Sequence, residues 1–509
     1  MNEALRRDME AKGIDIALST AMLEACNSGR YDKVNSERVV GVPGIDGKEI
    51  IDLRESAGAG SGSFSCPLED AEERLSGLGI ENSRGFGEIQ GHVPFPTMYF
   101  SSSNLDRLGR LLLERTAYGL LNGGSATSYA DRKRNLALGS DVFAALEPAF
   151  DRIVPLCHDR PKGITPAYIN PDGSPGASFL ELKMRARLLQ LRDSGLPGPS
   201  LDSFLPLFQM TSTSNDQLLS AFCGQAALGP FLGPLSRALG VEAGRWDGGT
   251  QPLTAAFTHS SEGRPKRFFD RAFGRADSAL ALPGGHGQCF RVLAPTLTRL
   301  RDCGKRFAYL GNVDNLGFTP EPREIALLAL SGKPAAFEFA ARTRVDVKGG
   351  VLVRTGSGST TIADIGLALR LDELLELENC GNTILFNCAT GLFDLDYLVP
   401  RLAELSAALP VHVSDQDKDS GRYSQAEQSA WEVAGLLPSF LSFVVDKRRR
   451  FLAAKLLVET LLTSGIGLAE GQLPPDMAAT ASSLAEGLGT LLGGVYGLRL
   501  SGGRWLPAD

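Results

Sequence analysis

Residues 104–124 read NLDRLGRLLLERTAYGLLNGG, and their order decides the fold class. Residues 104–116 carry apolar side chains at helical spacing behind Asn104, a residue type suited to an N-cap. YGLLNGG then reads as a short apolar strand ending in glycines. The alternation recurs: helical spacing in FLELKMRARLLQL (179–191), a strand in LPLFQMTS (205–212), a helix in TLTRLRDCG (296–304) and a strand in KRFAYLGNVDN (305–315). Apolar strands separated by helices of this length form a parallel sheet with right-handed crossovers and helices on both faces. The fold class is α/β. The β-rich stretch AAFEFAARTRVDVKGGVLVRTGSG (335–358) is expected to form a mixed sheet flanking the main one.

The chain has 509 residues, more than one core usually supports, so a main domain with appendages is expected. Small residues at Glu55–Gly62, ESAGAGSG, mark a linker, and the expected division is an N-terminal appendage over 1–103, a catalytic domain over 104–465 and a short C-terminal region over 466–509. At 43% apolar and 22% charged residues, with no apolar run of about 20, the chain reads as globular and without a membrane partner. Its first residues, MNEALRRDMEAKGIDIALST, lack the apolar core of a secretory signal, which makes a cytoplasmic location the expectation. A net charge of −7 with scattered basic residues argues against nucleic acid. The eight cysteines form no C-x-x-C pair, and with five histidines they read as reduced, mostly buried thiols rather than a zinc site or disulfide framework.

Ligands of open parallel sheets bind beyond the carboxyl ends of the strands, so the residues just after each strand carry the functional reading. Four clusters stand there. In Leu121-Asn122-Gly123-Gly124 and the following Ser125–Ser128, adjacent glycines let the backbone approach a planar base or a phosphate; alone, the motif reads first as an ordinary tight turn. No lysine follows in P-loop spacing, and the G-x-G-x-x-G of a dinucleotide-dependent oxidoreductase is missing. In Leu282–Gly287, LPGGHG, His286 has backbone room for a phosphate or ribose, whereas His92, His158, His259 and His412 read as solvated loop histidines. In Asn312–Gly317, NVDNLG, an acid at a strand's carboxyl end suits Mg²⁺ held against phosphates, or the string is a β-turn. Thr343–Gly350, TRVDVKGG, runs into a Gly-Gly turn able to offer backbone amides to a sugar, or closes a plain hairpin.

Together and in this order the clusters resemble the UDP-glucose pyrophosphorylase family, the UTP–glucose-1-phosphate uridylyltransferases. That family reads L-N-G-G-x-G-T-S-M-G with a later P-K, then M-N-S-F, P-P-G-H-G, N-I-D-N-L-G, T-R-A-D-V-K-G-G, F-N-T-N-N-L-W, Q-L-E-T-A and R-F-L-P-V-K. Here the strings are LNGGSATS, QMTS, LPGGHG, NVDNLG, TRVDVKGG, FNCATGLF, QAEQSA and RFLAAK, over roughly residues 104–465. The resemblance implies a Rossmann-like, GT-A-like nucleotidyltransferase with a mixed, mostly parallel sheet. It implies reversible attack of a sugar-1-phosphate oxygen on the α-phosphorus of UTP, with Mg²⁺ as cofactor and no covalent intermediate. The small-molecule partners are then UTP and glucose 1-phosphate.

By matching position, Leu121, Asn122, Gly123 and Gly124 would lie against the uridine with Met210 and Gly285, and His286 near the phosphates or the sugar phosphate. Asp314, in the string opened by Asn312, would bind Mg²⁺. Gly350, after Lys348 and Gly349, would contact the hexose, Asn387 lies in the sugar loop, and Lys455 matches a lysine that reaches the phosphates. The P-K lysine has two candidates, Lys133 and Lys162; Pro161-Lys162-Gly163, followed by a short strand, turn and helix, fits the family order and is chosen. Residues 129–160 then form an insertion whose helical piece LALGSDVFAALEPAFDRIV is either a lid or decoration. The sugar loop departs from the family at Cys388-Ala389-Thr390-Gly391 and at Phe393 in place of Trp, which leaves an N-acetylhexosamine or a broader sugar range, and a noncatalytic nucleotide-sugar-binding homologue, as alternatives. No counterpart of the family's C-terminal β-helix is visible.

Overall fold

The computed structural model describes all residues except 34–38, 59–60, 92–94, 125, 127–128, 138, 197–200, 344–345, 347–348, 366–368 and 469–470. Parts of the LNGGSATS, TRVDVKGG and linker strings, Lys348 and His92 therefore lie outside the described residues.

An 11-stranded mixed sheet organises the chain. Its strands are β1 (Val39–Gly41), β2 (Ile50–Asp52), β3 (Thr116–Leu121), β4 (Leu207–Ser212), β5 (Asp247–Gln251), β6 (Phe307–Asn312), β7 (Ala335–Ala341), β8 (Gly350–Thr355), β9 (Thr360–Asp364), β10 (Leu385–Asp394) and β11 (Leu441–Val444). The spatial order is β2-β11-β7-β10-β6-β3-β4-β5, with β8 branching from β10 and carrying β9 and β1. Strands β6, β3, β4 and β5 are mutually parallel, with Asn312 level with Leu121, Leu121 with Met210, and Ser212 with Gln251. Their carboxyl ends form one edge. Every residue of β3 and β4 is buried, the pattern of strands covered on both faces.

Helices Ser102–Leu112, Phe179–Ser194 and Pro322–Ser331 close one face through Leu105, Leu108, Leu182 and Leu327. Cys289–Val292, Ala294–Asp302 and Leu402–Ala408 close the other through Phe290, Leu297 and Leu405. Helix Phe179–Ser194 starts at a Ser178–Glu181 capping box and ends at Gly195 in the left-handed region. The first helix is capped by Ser101, whose hydroxyl accepts from the Asn104 amide, and Asn104 itself lies inside it.

The β-rich stretch does not flank the main sheet but enters it: β7 lies between β11 and β10, parallel to the first and antiparallel to the second. The cause is β10, which returns antiparallel between β6 and β7 and pulls the later strands into one sheet.

Two smaller sheets stand beyond the carboxyl edge: Leu253–Ala255 with Ala281–Pro283, and Phe257–Thr258 with Gly421–Glu427 and His412–Lys418. Residues 50–52 add β2 to the main sheet from within the first hundred residues. Helix Ser140–Ile153 of the insertion packs on helix Leu457–Thr463 through Phe143, Leu146 and Leu461. All eight cysteines are free, and all but Cys303 and Cys380 are buried. Among the described residues no helix is long and apolar enough to cross a membrane.

Candidate active site

At the end of β3 the chain turns through Asn122-Gly123-Gly124. The Asn122 amide donates to the Met210 carbonyl (2.9 Å), its side-chain Nδ2 to Gln209 Oε1 (2.9 Å), and its Oδ1 accepts from the Gly163 amide (3.2 Å). Asn215 Nδ2 donates to the carbonyls of Gly123 (3.2 Å) and Gly124 (3.3 Å). A Cβ on Gly123 would overlap Gln251 Nε2, so only glycine lets the turn rest on that amide, whereas a Cβ on Gly124 would meet nothing within 4 Å. Gly124 thus faces open space. The side chains of Leu121 and Met210 are buried in the core, and what Met210 offers the turn is its carbonyl.

The segment Pro161-Lys162-Gly163 lies against this turn, with the Lys162 amide donating to the Gly124 carbonyl (3.1 Å). Lys133 is exposed on the short helix Arg132–Leu136, so of the two candidate lysines Lys162 is the one seated at the glycine turn. The Lys162 ammonium is buried, donates to the Ala454 carbonyl (3.2 Å), lies 2.8 Å from the centre of the Tyr129 ring and has no carboxylate at ion-pair distance among the described residues. Burial pushes its pKa down to about 7, opposed most strongly by the negative charge of Asp314. After a 3₁₀ turn over Lys162–Ile164, the expected short strand is reduced to isolated antiparallel bridges, Pro166 with Ser178 and Ile169 with Pro175.

Asp314 follows β6. Asn312, half-buried, ends the strand and accepts the Asn315 amide on its carbonyl (3.2 Å). Asn315 ties the turn to the RFLAAK segment: Nδ2 donates to the Arg450 carbonyl (2.9 Å) and Oδ1 accepts from the Leu452 amide (3.1 Å). That tie holds the segment of the exposed Lys455 beside the acid turn, from where its charge acts on both His286 and Asp364. The half-buried Asp314 carboxylate has neither a hydrogen bond nor an ion pair among the described residues, and no group of three metal-ligating side chains occurs there. A lone unpaired carboxylate fits Mg²⁺, which takes one or two protein oxygens and fills its remaining sites with phosphate and water.

The LPGGHG loop docks on the residues after Gly421–Glu427, with the Gly287 amide donating to the Gln428 carbonyl (2.8 Å). Gly285 has φ +88°, and a Cβ there would lie 2.5 Å from the Gln428 carbonyl oxygen and 2.7 Å from its nitrogen. His286 Nδ1 accepts from the Ala430 amide (2.9 Å), which leaves the ring proton on Nε2. Burial, then Lys455, push the imidazole down to about 4.

At the far side Gly350 opens β8. A Cβ there would overlap Ile362 Cγ2 and stand 3.6 Å from Asp364 Oδ1 and 3.7 Å from the Asn387 Cβ, so only glycine fits and its backbone lies beside both polar side chains. Asn387 Oδ1 accepts from the Ala389 amide (2.7 Å), and its buried Nδ2 has no partner among the described residues. Burial raises the Asp364 carboxyl. His412 was expected as a solvated loop residue and is instead on a strand, with Nε2 bonded to Glu432 Oε1 (2.7 Å); that bond raises its pKa.

Sequence reasoning missed Gln251, Asn215 and Asp364. Asp364 had a signal, since it ends β9 as an acid at a strand's carboxyl terminus. The others had none, because their partners are distant in the chain. Gln209, Gln251, Gln288 and Asn387 each keep one buried side-chain amide atom without a partner. Each such atom costs about 1–3 kcal/mol unless something pairs with it.

Residues 269–467 match the family model described as UTP–glucose-1-phosphate uridylyltransferase. This segment belongs to the UDP-glucose pyrophosphorylase family. It holds Gly285, His286, Asp314, Gly350, Asn387 and Lys455, and the glycine turn with Lys162 lies outside it. With the family comes the reaction class: the chain is a nucleotidyltransferase, a uridylyltransferase acting on sugar phosphates. No curated protein matches the sequence. Among solved structures it is similar to UDP-glucose phosphorylase from Trypanosoma brucei, at 15% identity over 99% of this chain and 81% of that one, with a TM-score of 0.54. A mutant of UDP-glucose pyrophosphorylase from Leishmania major in complex with UDP-glucose gives 16%, 100%, 81% and 0.54. The uridine diphosphate N-acetylglucosamine pyrophosphorylase from Trypanosoma brucei in complex with inhibitor gives 16%, 97%, 86% and 0.55. At these identities the likeness is one of fold, and it supports the mixed, mostly parallel α/β sheet expected of the chain.

Proposed function

We propose that the chain joins UTP and glucose 1-phosphate to give UDP-glucose and pyrophosphate, reversibly and with Mg²⁺. One observation carries this reading: Lys162, a buried lysine with no carboxylate partner among the described residues, feels the charge of Asp314, a carboxylate with no donor among them, beside an open glycine turn. Such charges need opposite charges that arrive with substrate.

Uracil stacks on the open side of Gly124, and the loose amides of Gln251 and Gln288 pair with its edge. Lys162 and Lys455 hold the phosphates from two sides. His286 keeps a neutral ring whose Nε2–H donates to a phosphate or sugar oxygen. The hexose lies against Gly350, Asp364 and Asn387, where the Asn387 Nδ2 and the Asp364 carboxylate meet its hydroxyls. Mg²⁺ at Asp314, when bound, neutralises the α-phosphate. The sugar phosphate is already ionised at neutral pH, so no side chain has to remove a proton; alignment and charge neutralisation do the work. A wider sugar range is the second reading, favoured by Cys388-Ala389-Thr390-Gly391 standing where the family has T-N-N.

The test is pyrophosphate release from UTP with a panel of sugar 1-phosphates, for the wild type and Asp314→Asn. Turnover highest with glucose 1-phosphate, and lower by about 10²-fold or more in the variant, is expected. A folded variant with near-normal turnover removes Asp314 from the reaction, and a wild type inactive on every sugar removes the reaction itself.

A further inference from the structure

Helix Phe179–Ser194 carries three buried cations, Lys183, Arg185 and Arg187, each at most 1% exposed. A buried cation is tolerated where its donors are used, so their partners reveal what they are for. Lys183 forms no ion pair among the described residues. Its ammonium donates to the carbonyls of Asn315 (2.5 Å) and Phe318 (2.7 Å) and lies 3.3 Å from the Tyr496 hydroxyl. That hydroxyl in turn donates to the Leu316 carbonyl (2.5 Å), and the Tyr118 hydroxyl adds a donor to Phe318 (2.7 Å). Three carbonyls of the turn that bears Asp314 are therefore gripped from the sheet side, while Asn315 ties the same turn to Arg450 and Leu452.

Tyr496 is itself fixed. It follows helix Pro475–Gly494, and Arg185 Nε donates to its carbonyl (2.6 Å) while Nη2 donates to that of Gly497 (3.2 Å). Two turns of chain remote in sequence, the acid turn and the C-terminal one, are thus held by cations two positions apart on one helix.

We infer that Lys183 and Tyr496 are positioning residues, a buried clamp that sets where the Asp314 carboxylate stands and through it the metal requirement of the reaction. Plain packing does not require a charge at 183: an apolar side chain of equal length fills the space and leaves the turn's carbonyls unpaired. The inference rests on the reading of Asp314 as the residue that holds Mg²⁺.

Tyr496→Phe keeps the ring and deletes the donor; Lys183→Met keeps the length and deletes the charge. Each variant and the wild type are compared by amide exchange over residues 313–318, by Mn²⁺ titration in the presence of UTP followed by electron paramagnetic resonance, and by kcat and KM. Loss of one buried hydrogen bond should speed exchange of the turn by about tenfold, weaken Mn²⁺ by a similar factor and lower kcat, with KM for the sugar phosphate within about twofold. Unchanged exchange in Tyr496→Phe overturns the clamp, as does faster exchange with Mn²⁺ affinity intact, or a parallel rise across the whole chain. If Lys183→Met does not fold, Tyr496→Phe decides alone. A wild type without turnover defeats the reaction proposed above, and the clamp is then judged on exchange and Mn²⁺ binding.

Discussion

At Lys162, burial and charge are in direct opposition. The ordinary lysine pKa is 10.5 and the buried one is about 7, so between these values the unfolded chain binds more protons than the folded one. The sign follows: this group makes the protein more stable as pH rises from 7 toward 10.5, and its full penalty is present below 7. Stability has been given up to keep a chargeable amine beside the glycine turn, which makes sense if anionic phosphates restore the proton. Lys162→Met should therefore separate the two properties. Its turnover should fall by about 10²-fold or more, while its melting temperature at pH 6.5 should equal or exceed that of the wild type. The gap between the two proteins should close toward pH 9. Calorimetry at both pH values and a pyrophosphate assay read this out, and a variant that is both active and unchanged in its pH dependence argues against the assignment.

At the scale of elements, the glycines of two loops make a sharper test than side-chain deletions. Gly124 has room for a Cβ on its open side, so Gly124→Ala should melt within about 1 °C of the wild type and yet raise KM for UTP by about tenfold, because the methyl enters the space proposed for the base. Gly285 combines φ +88° with a Cβ position 2.5 Å from the Gln428 carbonyl oxygen. Gly285→Ala should cost about 1–2 kcal/mol in strain alone and lower both stability and nucleotide affinity. Thermal melts and UTP titrations of the pair distinguish a loop that contacts ligand from one that braces another loop. These loops were legible in sequence because each sits directly after an apolar strand and is locally encoded. Gln251, Asn215 and the His412–Glu432 pair were not recognised, since what makes them functional or buried is a partner elsewhere in the chain. The place of β7 within the main sheet was hidden for the same reason: it depends on β10 returning antiparallel, which local hydrophobic patterning does not record.

Over the whole molecule, the site is built from two stretches that share no local signal. The glycine turn and Lys162 come before the family-model match, and His286, Asp314, Gly350, Asn387 and Lys455 lie inside it. The order of the motifs conveyed that they belong together, but only the parallel register of β3 and β6, with Leu121 level with Asn312, brings the first group beside Asp314. A ligand bridging them must couple the two stretches energetically. UTP binding should therefore slow amide exchange at residues 119–124 and at 284–288 and 312–317 together, with the same dependence on UTP concentration, since binding stabilises whatever it touches by mass action. Protection should saturate at one common UTP concentration and fall in parallel when Asp314→Asn weakens the metal-phosphate contact. If UTP protects only the first stretch, uracil binds at the glycine turn without its phosphates crossing to Asp314, and the protein holds a nucleotide in a geometry that cannot transfer it.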